Sequence, residues 1–466
     1  MNKSIRATYR QGLRLVFLAL FIGTGTTVSA QRDFTLYSLS GTPQAHYINP
    51  AFRPTAKIFI SLPLGMQSFS VTNSGFTFNQ LLQKRSQDDS LEFNPSNAID
   101  KMAKLNYLTV ESHNEIFGFG IALKKNYFSF SVTNRFQSNL VYPKDLFRFA
   151  FEGNGQSYLG TRASLDGFGF NLTSYVEYAL GFNREITDKL SVGGRIKLLS
   201  GIANVRTKKS QLGIYTDATT FDITIDGALE VRTSGIKPFY DTLADDNYNP
   251  INNAFSFKNS GIALDLGATY KLTDRIGLSA SLLDLGTIKW TTDNANFVSN
   301  DVNYRFEGVD LNEYLNDTTN NFIDQLADSL KDVFSQKENA ESYRTGLYTR
   351  FYLGGTFKLT EKFFVGATLY NEFIKARYRP GLILSGNVKL NNWFAATVNY
   401  SAYARSYNNL GLGFTVKGGP IQFYVITDNV MGFLAPAASK NFHVTTGLNI
   451  LIGGRKDKDK ESKEKA

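Results

Sequence analysis

"LGATYKLTDRIGLSASL", residues 266–282, and "LGGTFKLTEKFFVGATL", residues 353–369, are two versions of one pattern. In the first, Leu266, Ala268, Tyr270 and Leu272 alternate with Gly267, Thr269 and Lys271. After Thr273-Asp274-Arg275 the apolar positions resume at Ile276, Leu278, Ala280 and Leu282, opposite Gly277, Ser279 and Ser281. The second repeats this with Leu353, Gly355, Phe357 and Leu359, then Phe363, Val365, Ala367 and Leu369, opposite Gly354, Thr356 and Lys358. Successive side chains of a strand point to opposite faces, so each copy predicts a hairpin with one apolar and one small or polar face, turning at the polar triplet.

The same frame fits "LGFNREITDKLSVGGRIKL" (180–198) and, more loosely, "LSGNVKLNNWFAATVNY" (384–400). Alternation by itself also describes the half-buried strands of a soluble sandwich, and the N-terminus separates the two. It reads "MNKSIRATYRQGLRLVFLALFIGTGTTVSAQ". Lys3, Arg6, Arg10 and Arg14 precede an apolar run from Leu15 to Ile22, and Val28-Ser29-Ala30 precede Gln31, the pattern of a secretory signal peptide over 1–30. The apolar run is well short of the ~20 residues of a spanning helix. The chain has no cysteine, which excludes a lipid-anchored lipoprotein, disulfides and thiolate chemistry. The net charge of +9 falls to +5 once the four basic residues of 1–30 are removed, and nothing in it calls for nucleic acid.

An exported chain with alternating strands, 38 Phe, 24 Tyr and 39 Gly predicts an all-β fold, a transmembrane antiparallel β-barrel in the outer membrane of a Gram-negative cell. Candidate strands lie near 56–72, 105–123, 127–137, 163–184, 189–201, 211–231, 257–271, 275–286, 345–359, 362–374, 379–390, 393–404, 408–417, 420–428 and 441–453. About fourteen spanning strands are expected, within the range of such barrels. The expected organisation is a signal peptide (1–30), an N-terminal hatch or plug (31–55), the barrel (56–453) and a charged periplasmic tail (454–466) of six basic and four acidic residues. Short turns such as Thr273–Arg275 and Thr360–Lys362 are expected on the periplasmic side, and 287–344 in an extracellular loop. Within that loop "NFIDQLADSLKDVF" (321–334) has helical spacing, and further short helices are expected near 95–105 and 143–151.

The hairpin "DLGATYKLTDRIGLSASLLDLGTIKW" (265–290) and "YINPAF" (47–52) resemble an exported barrel family of unassigned function. That family is allied to the FadL-type fatty acid transporter barrels and to the PorV and PorP barrels of type IX secretion. In the fatty acid transporters an Asn-Pro-Ala element follows an N-terminal hatch folded into the barrel. The resemblance therefore implies that Asn49, Pro50 and Ala51 end a plug. Apart from the resemblance, Asn-Pro favours a turn, Pro50 biases Asn49 away from the helix, and Phe52 is apolar enough to seal against a wall; an ordinary turn into the first strand is the other reading. The last strand, 441–453, departs from many such barrels by running into the charged tail instead of ending on an aromatic residue.

No enzymatic constellation is evident. The three histidines are His46, His113 and His443, and neither a GxSxG elbow nor an HExxH metal motif occurs. Alternation places His443, Thr445 and Asn449 toward the lumen as ordinary lining residues, opposite Phe442, Val444, Leu448, Ile450 and Ile452. No cofactor or metal is expected; "DTLADDNYNP" (241–250) and "TTDNANFVSND" (291–301) read as solvated loops, lacking an ordered calcium-loop pattern. Arg195, Lys197 and Asp265 are expected to line the lumen, either along a path or as an internal ion-pair network. Two functions follow: a non-enzymatic passive conduit for small hydrophobic compounds, or a structural or adaptor subunit of an outer-membrane assembly or secretion complex. The expected partners are outer-membrane lipid with either a small hydrophobic ligand or other outer-membrane and periplasmic proteins.

Overall fold

The computed structural model describes residues 34–454 except 40, 86, 87, 89, 156, 237–254, 307–336, 375, 376, 392, 404 and 405. The segment 1–30 read as an export signal, the cluster 241–250, the helical pattern at 321–334 and the tail beyond 454 lie outside the described residues.

The two repeats fold as the hairpins Ser260–Lys271 with Ile276–Trp290 and Thr349–Lys358 with Phe363–Ile374. Their shared threonine closes the turn. Thr273 Oγ1 accepts from the backbone N–H groups of Arg275 (3.2 Å) and Ile276 (3.0 Å), and Thr360 Oγ1 from those of Lys362 (3.2 Å) and Phe363 (3.1 Å). Thr187 does the same for Lys189 and Leu190 in the third copy. A hydroxyl that serves two otherwise free amides is the physical content of the repeated Thr-acid-base triplet.

Neighbouring hairpins join edge to edge into a closed antiparallel barrel of 14 strands. Ala56–Ser61 and Gln67–Asn73 share one wall position, each pairing with Asn441–Gly454 on one side and Leu105–Leu123 on the other. From there the wall runs through Asn126–Pro143, Gly169–Glu185, Leu190–Thr216 and the two repeat hairpins to Arg377–Leu390, Phe394–Tyr403, Ser406–Gly418 and Ile421–Thr427. Closure leaves no open edge in lipid. The outer face carries the exposed apolar set, including Leu278, Leu353, Phe357, Val365, Leu369, Leu384, Leu448 and Ile452, whereas Ser281, Thr368, Ser385 and Asn449 face inward and are buried. No helix among the described residues is long and apolar enough to cross a membrane.

Two expected boundaries change. The ranges 189–201 and 211–231 fold as one 27-residue strand, Leu190–Thr216, followed by the separate strand Ile223–Ser234. The break between them is made by Asp217, whose Oδ1 accepts from the backbone N–H groups of Thr219 (2.7 Å) and Thr220 (2.9 Å), with Phe221 at φ 64°. Residues 190–200 pair in the wall with Ser260–Tyr270, while 204–216 pair with Ile223–Ser234, which in turn pairs with Asn294–Phe306. The wall thus extends into a side sheet at its long-loop end. The segment 287–344 is correspondingly not all loop, because Ile276–Trp290 continues to Trp290 and Asn294–Phe306 is a strand. Short helices form at Pro95–Lys101 and Lys144–Glu152, where their amphipathic patterns place them.

Candidate functional site

Residues 34–54 lie inside the barrel and contribute no strand to its wall. They form the helix Phe34–Ser38 and the 3-10 helix Pro43–Tyr47, and Thr42 to Ala51 are buried throughout. At the N-terminal end, the Asp428 carboxylate accepts from Phe34 N (3.0 Å), Thr35 N (2.7 Å) and Thr35 Oγ1 (2.5 Å), capping the first turn from the wall on which the helix packs. At the other end, Arg53 donates to the Lys124 and Asn126 carbonyls and pairs with Glu185 at 3.3 Å, at the short-turn rim.

Between these anchors the contacts are polar and specific. Gln44 Nε2 donates to Glu115 Oε2 (2.9 Å) and Asn449 Oδ1 (2.7 Å), and Tyr47 OH donates to Glu115 Oε1 (2.6 Å). Ser281 Oγ donates to the Ile48 carbonyl at 2.7 Å. Asn49 Nδ2 reaches the Ala280 carbonyl (3.2 Å), and its Oδ1 accepts from Ala51 N (2.9 Å), which closes the Asn-Pro turn. Pro50 O accepts from Asn183 Nδ2 at 3.1 Å. A Cβ on Gly267 would lie 2.1 Å from Asn49 Oδ1, and one on Gly193 would lie 2.2 Å from Pro50 O. Glycine at these two wall positions is what lets Asn49-Pro50 approach the wall. Phe52 is half-buried with its ring 5.2 Å from Tyr37, which stacks on Tyr352 of the wall.

One side of the lumen is charged. Arg195 pairs with Asp265 (3.1 Å) and Glu177 (3.0 Å), and Lys197 with Asp265 (2.8 Å) and Asp284 (2.6 Å). Arg350 Nε donates to Asp284 Oδ2 at 3.0 Å, and Arg135 lies 3.6 Å from Glu177. The Arg195 guanidinium also sits 4.7 Å above the Tyr47 ring, which joins this network to the lumen segment. Asp284 enters the lumen through a bulge. Pairing slips between Leu264 and Leu266, Asp284 takes φ 60°, and its N–H donates to Asp265 Oδ1 at 2.8 Å, so that Leu283 and Asp284 are both buried. The opposite side is apolar: Phe34, Leu36 and Leu39 pack against Tyr352, Tyr370, Ile383, Tyr403, Tyr424 and Ile426. Between the segment and the wall, toward the short-turn end, is a cavity of about 420 Å³ lined by Tyr37, Thr42, Phe52, Thr269, Ser279 and Asn387, among others.

Residues 50–428 match the model of a family of unknown function, DUF5723. The chain belongs to that family. No curated protein sequence matches this DUF5723 chain. In structure it is similar to the toluene transporter TbuX of Ralstonia pickettii, at a TM-score of 0.42 and 10% identity over 88% of this chain and 94% of that one. It is also similar to the Pseudomonas putida toluene transporter TodX (0.39, 11%, 91% and 98%) and to a Pseudomonas aeruginosa FadL homologue (0.39, 9%, 92% and 96%).

In the DUF5723 chain, Arg195, Lys197 and Asp265 meet in one network, while His443 lies apart beside Asp428. His443, Asp428, Thr445 and Ser68 superficially resemble a catalytic triad. His443 Nδ1 lies 3.1 Å from the Asp428 backbone nitrogen and 3.3 Å from its Oδ2, and Nε2 lies 2.9 Å from Thr445 Oγ1. Thr445 Oγ1 donates in turn to Ser68 Oγ at 2.8 Å, so the four residues form one buried hydrogen-bonded cluster. No metal-binding cluster of His, Asp and Glu occurs among the described residues. Glu115, Glu177, Asp284, Arg350 and Asp428 were not anticipated as lumen residues. The available signal for Glu177 was a lone acid inside the otherwise uncharged stretch "NLTSYVEYALGF" (171–182).

Proposed function

We propose that this protein is a non-enzymatic outer-membrane conduit for small hydrophobic compounds, in which residues 34–54 act as the hatch. The observation that carries this reading is that the segment fills the lumen without adding a strand, held by side-chain hydrogen bonds and packing. Such a segment can leave or shift while the main-chain ladder of the wall stays intact. The cavity of about 420 Å³ beside it is a second support, since its Tyr37 and Phe52 rings and its Thr269, Ser279 and Asn387 groups suit a mainly apolar molecule with a polar end. Short turns face the periplasm in such barrels, so Thr273–Arg275 and the Arg53 anchor are assigned to that side and Asp428 to the lumen above it.

The test is a reversible lock. The chain has no cysteine, and a Cβ on Gly413 would lie 2.7 Å from Thr35 Cγ2, so a Thr35→Cys/Gly413→Cys pair is within bridging reach once the helix gives slightly. In liposomes, the oxidised pair should abolish uptake of small apolar probes and reduction should restore it. Uptake that is absent in both states, together with stoichiometric co-purifying outer-membrane proteins, would instead favour the structural or adaptor subunit.

A further inference from the structure

The wall position occupied by Ile421–Thr427 holds only seven residues, between strands of thirteen and fourteen. Its pairing ends at Leu412 with Thr427 and at Ile426 with Thr445. Farther along, the flanking strands meet through side chains. Asn441 Nδ2 donates to Asn409 Oδ1 (2.8 Å) and Ser406 Oγ (2.7 Å), and Asn429 Nδ2 donates to Asn441 Oδ1 (2.6 Å) and Ser439 Oγ (2.9 Å). Apart from one backbone bond, from Val430 N–H to the Leu410 carbonyl (2.7 Å), this part of the wall is therefore a seam of amides and hydroxyls.

The helix Met431–Leu434 covers this seam from outside. Phe442 has the parity of the lipid-facing Leu448, Ile450 and Ile452, yet it is only 3% exposed. The Phe433 ring lies 4.1 Å from it, and a Cβ on Gly432 would stand 3.0 Å from its ring. Ile452 and Phe442 are ten residues apart on one strand. At a rise of about 3.3 Å per residue and a tilt of about 40° they differ in height by about 25 Å, the height of the apolar band of such barrels. Phe433 thus lies at the outer limit of the band. The helix turns Met431 (43% exposed), Phe433 (51%) and Leu434 (74%) outward, beside Phe78 (65%) on Phe78–Leu81, which packs on Pro436–Ala438.

We infer that Met431–Leu434 is embedded in the outer leaflet of the membrane and shields the Asn409–Asn429–Asn441 seam from the acyl chains. Lipid is the occupant that fits, because the helix continues the lipid-facing stripe of Asn441–Gly454 at the depth where that stripe ends. An amide seam open to hydrocarbon would lose its alternative partner, water, and an apolar cover removes that exposure.

Single cysteines are unique in this chain. Leu434→Cys, labelled with an environment-sensitive dye in phosphatidylcholine vesicles, should be quenched by a nitroxide carried on the lipid and protected from aqueous iodide. Leu448→Cys, in mid-band, should respond only to the nitroxide, and Thr219→Cys, on an exposed turn, only to iodide. Leu434 carries little burial, so its replacement leaves the Phe433–Phe442 contact intact. Iodide quenching of Leu434→Cys at the Thr219→Cys level would overturn the inference. So would protection from both quenchers accompanied by efficient Leu434→Cys cross-linking between two copies, which would assign the helix to a dimer contact.

Discussion

Arg195 and Asp265 stand directly opposite each other on neighbouring strands, and the guanidinium Nη1 lies 3.1 Å from the carboxylate Oδ2 with both side chains buried. Around this pair, Arg135, Lys197 and Arg350 meet Glu177 and Asp284, so each charge has at least one opposite partner. Breaking a buried network from one side leaves an uncompensated charge. Lys197→Met should therefore destabilise the barrel by about 3–5 kcal/mol, whereas Lys197→Met combined with Asp265→Leu should recover part of that loss. Urea titration of the barrel in micelles measures both.

The lipid face should reject charge. Leu369→Arg or Leu384→Arg, both near mid-strand on the exposed outer face, should cost about 2–4 kcal/mol. Ser279→Arg points inward, but that side has less room than an empty lumen would give, because Ser279 Oγ lies 2.6 Å from Tyr37 OH. The arginine should displace the lumen segment while leaving the outer belt intact, which would appear as increased proteolysis within 34–54 at unchanged barrel mobility on gels.

Asp428 is the N-terminal anchor of the lumen segment. Asp428→Asn replaces one acceptor oxygen by a donor facing the Phe34 and Thr35 N–H groups, so at least one buried amide loses its partner. Loss of a charge-assisted bond should weaken segment seating by about 1.5–3 kcal/mol. Hydrogen exchange at residues 34–39 should accelerate by the corresponding factor, and unchanged exchange would show that packing alone holds the segment.

The hairpin threonines give a more local prediction. Thr273→Ala and Thr360→Ala each remove an acceptor for two backbone amides. Because the turns are exposed and water can substitute, each should cost about 0.5–1.5 kcal/mol and slow barrel refolding from urea.

The parts of this architecture that depend on local period were legible in the chain. Alternation placed Leu278 and Val365 outside, His443 and Asn449 inside, and the turns at the Thr-acid-base triplets. Asp284 was hidden because its inward turn depends on a bulge, where Leu282-Leu283 breaks the period and a non-glycine residue takes a left-handed conformation. Arg350 and Asp428 were hidden for another reason. Each acquires its role from the register of a strand far away in sequence, and no local pattern reports which residue a lumen side chain will meet across the barrel.

The contact between Thr35 and Asp428 spans 393 residues, nearly the whole described chain. Gln44 likewise depends on Asn449, and Gln422 Nε2 donates to the Gly41 carbonyl. The first residues of the folded protein therefore find part of their seating among the last strands of the barrel. Until those strands arrive, Phe34, Thr35 and Gly41 lack their partners and the seat of the segment is incomplete. Time order is thereby built into the molecule: full occupation of the interior waits on ring closure, and an assembly intermediate lacking the final hairpin would be open-edged with its lumen segment only half held.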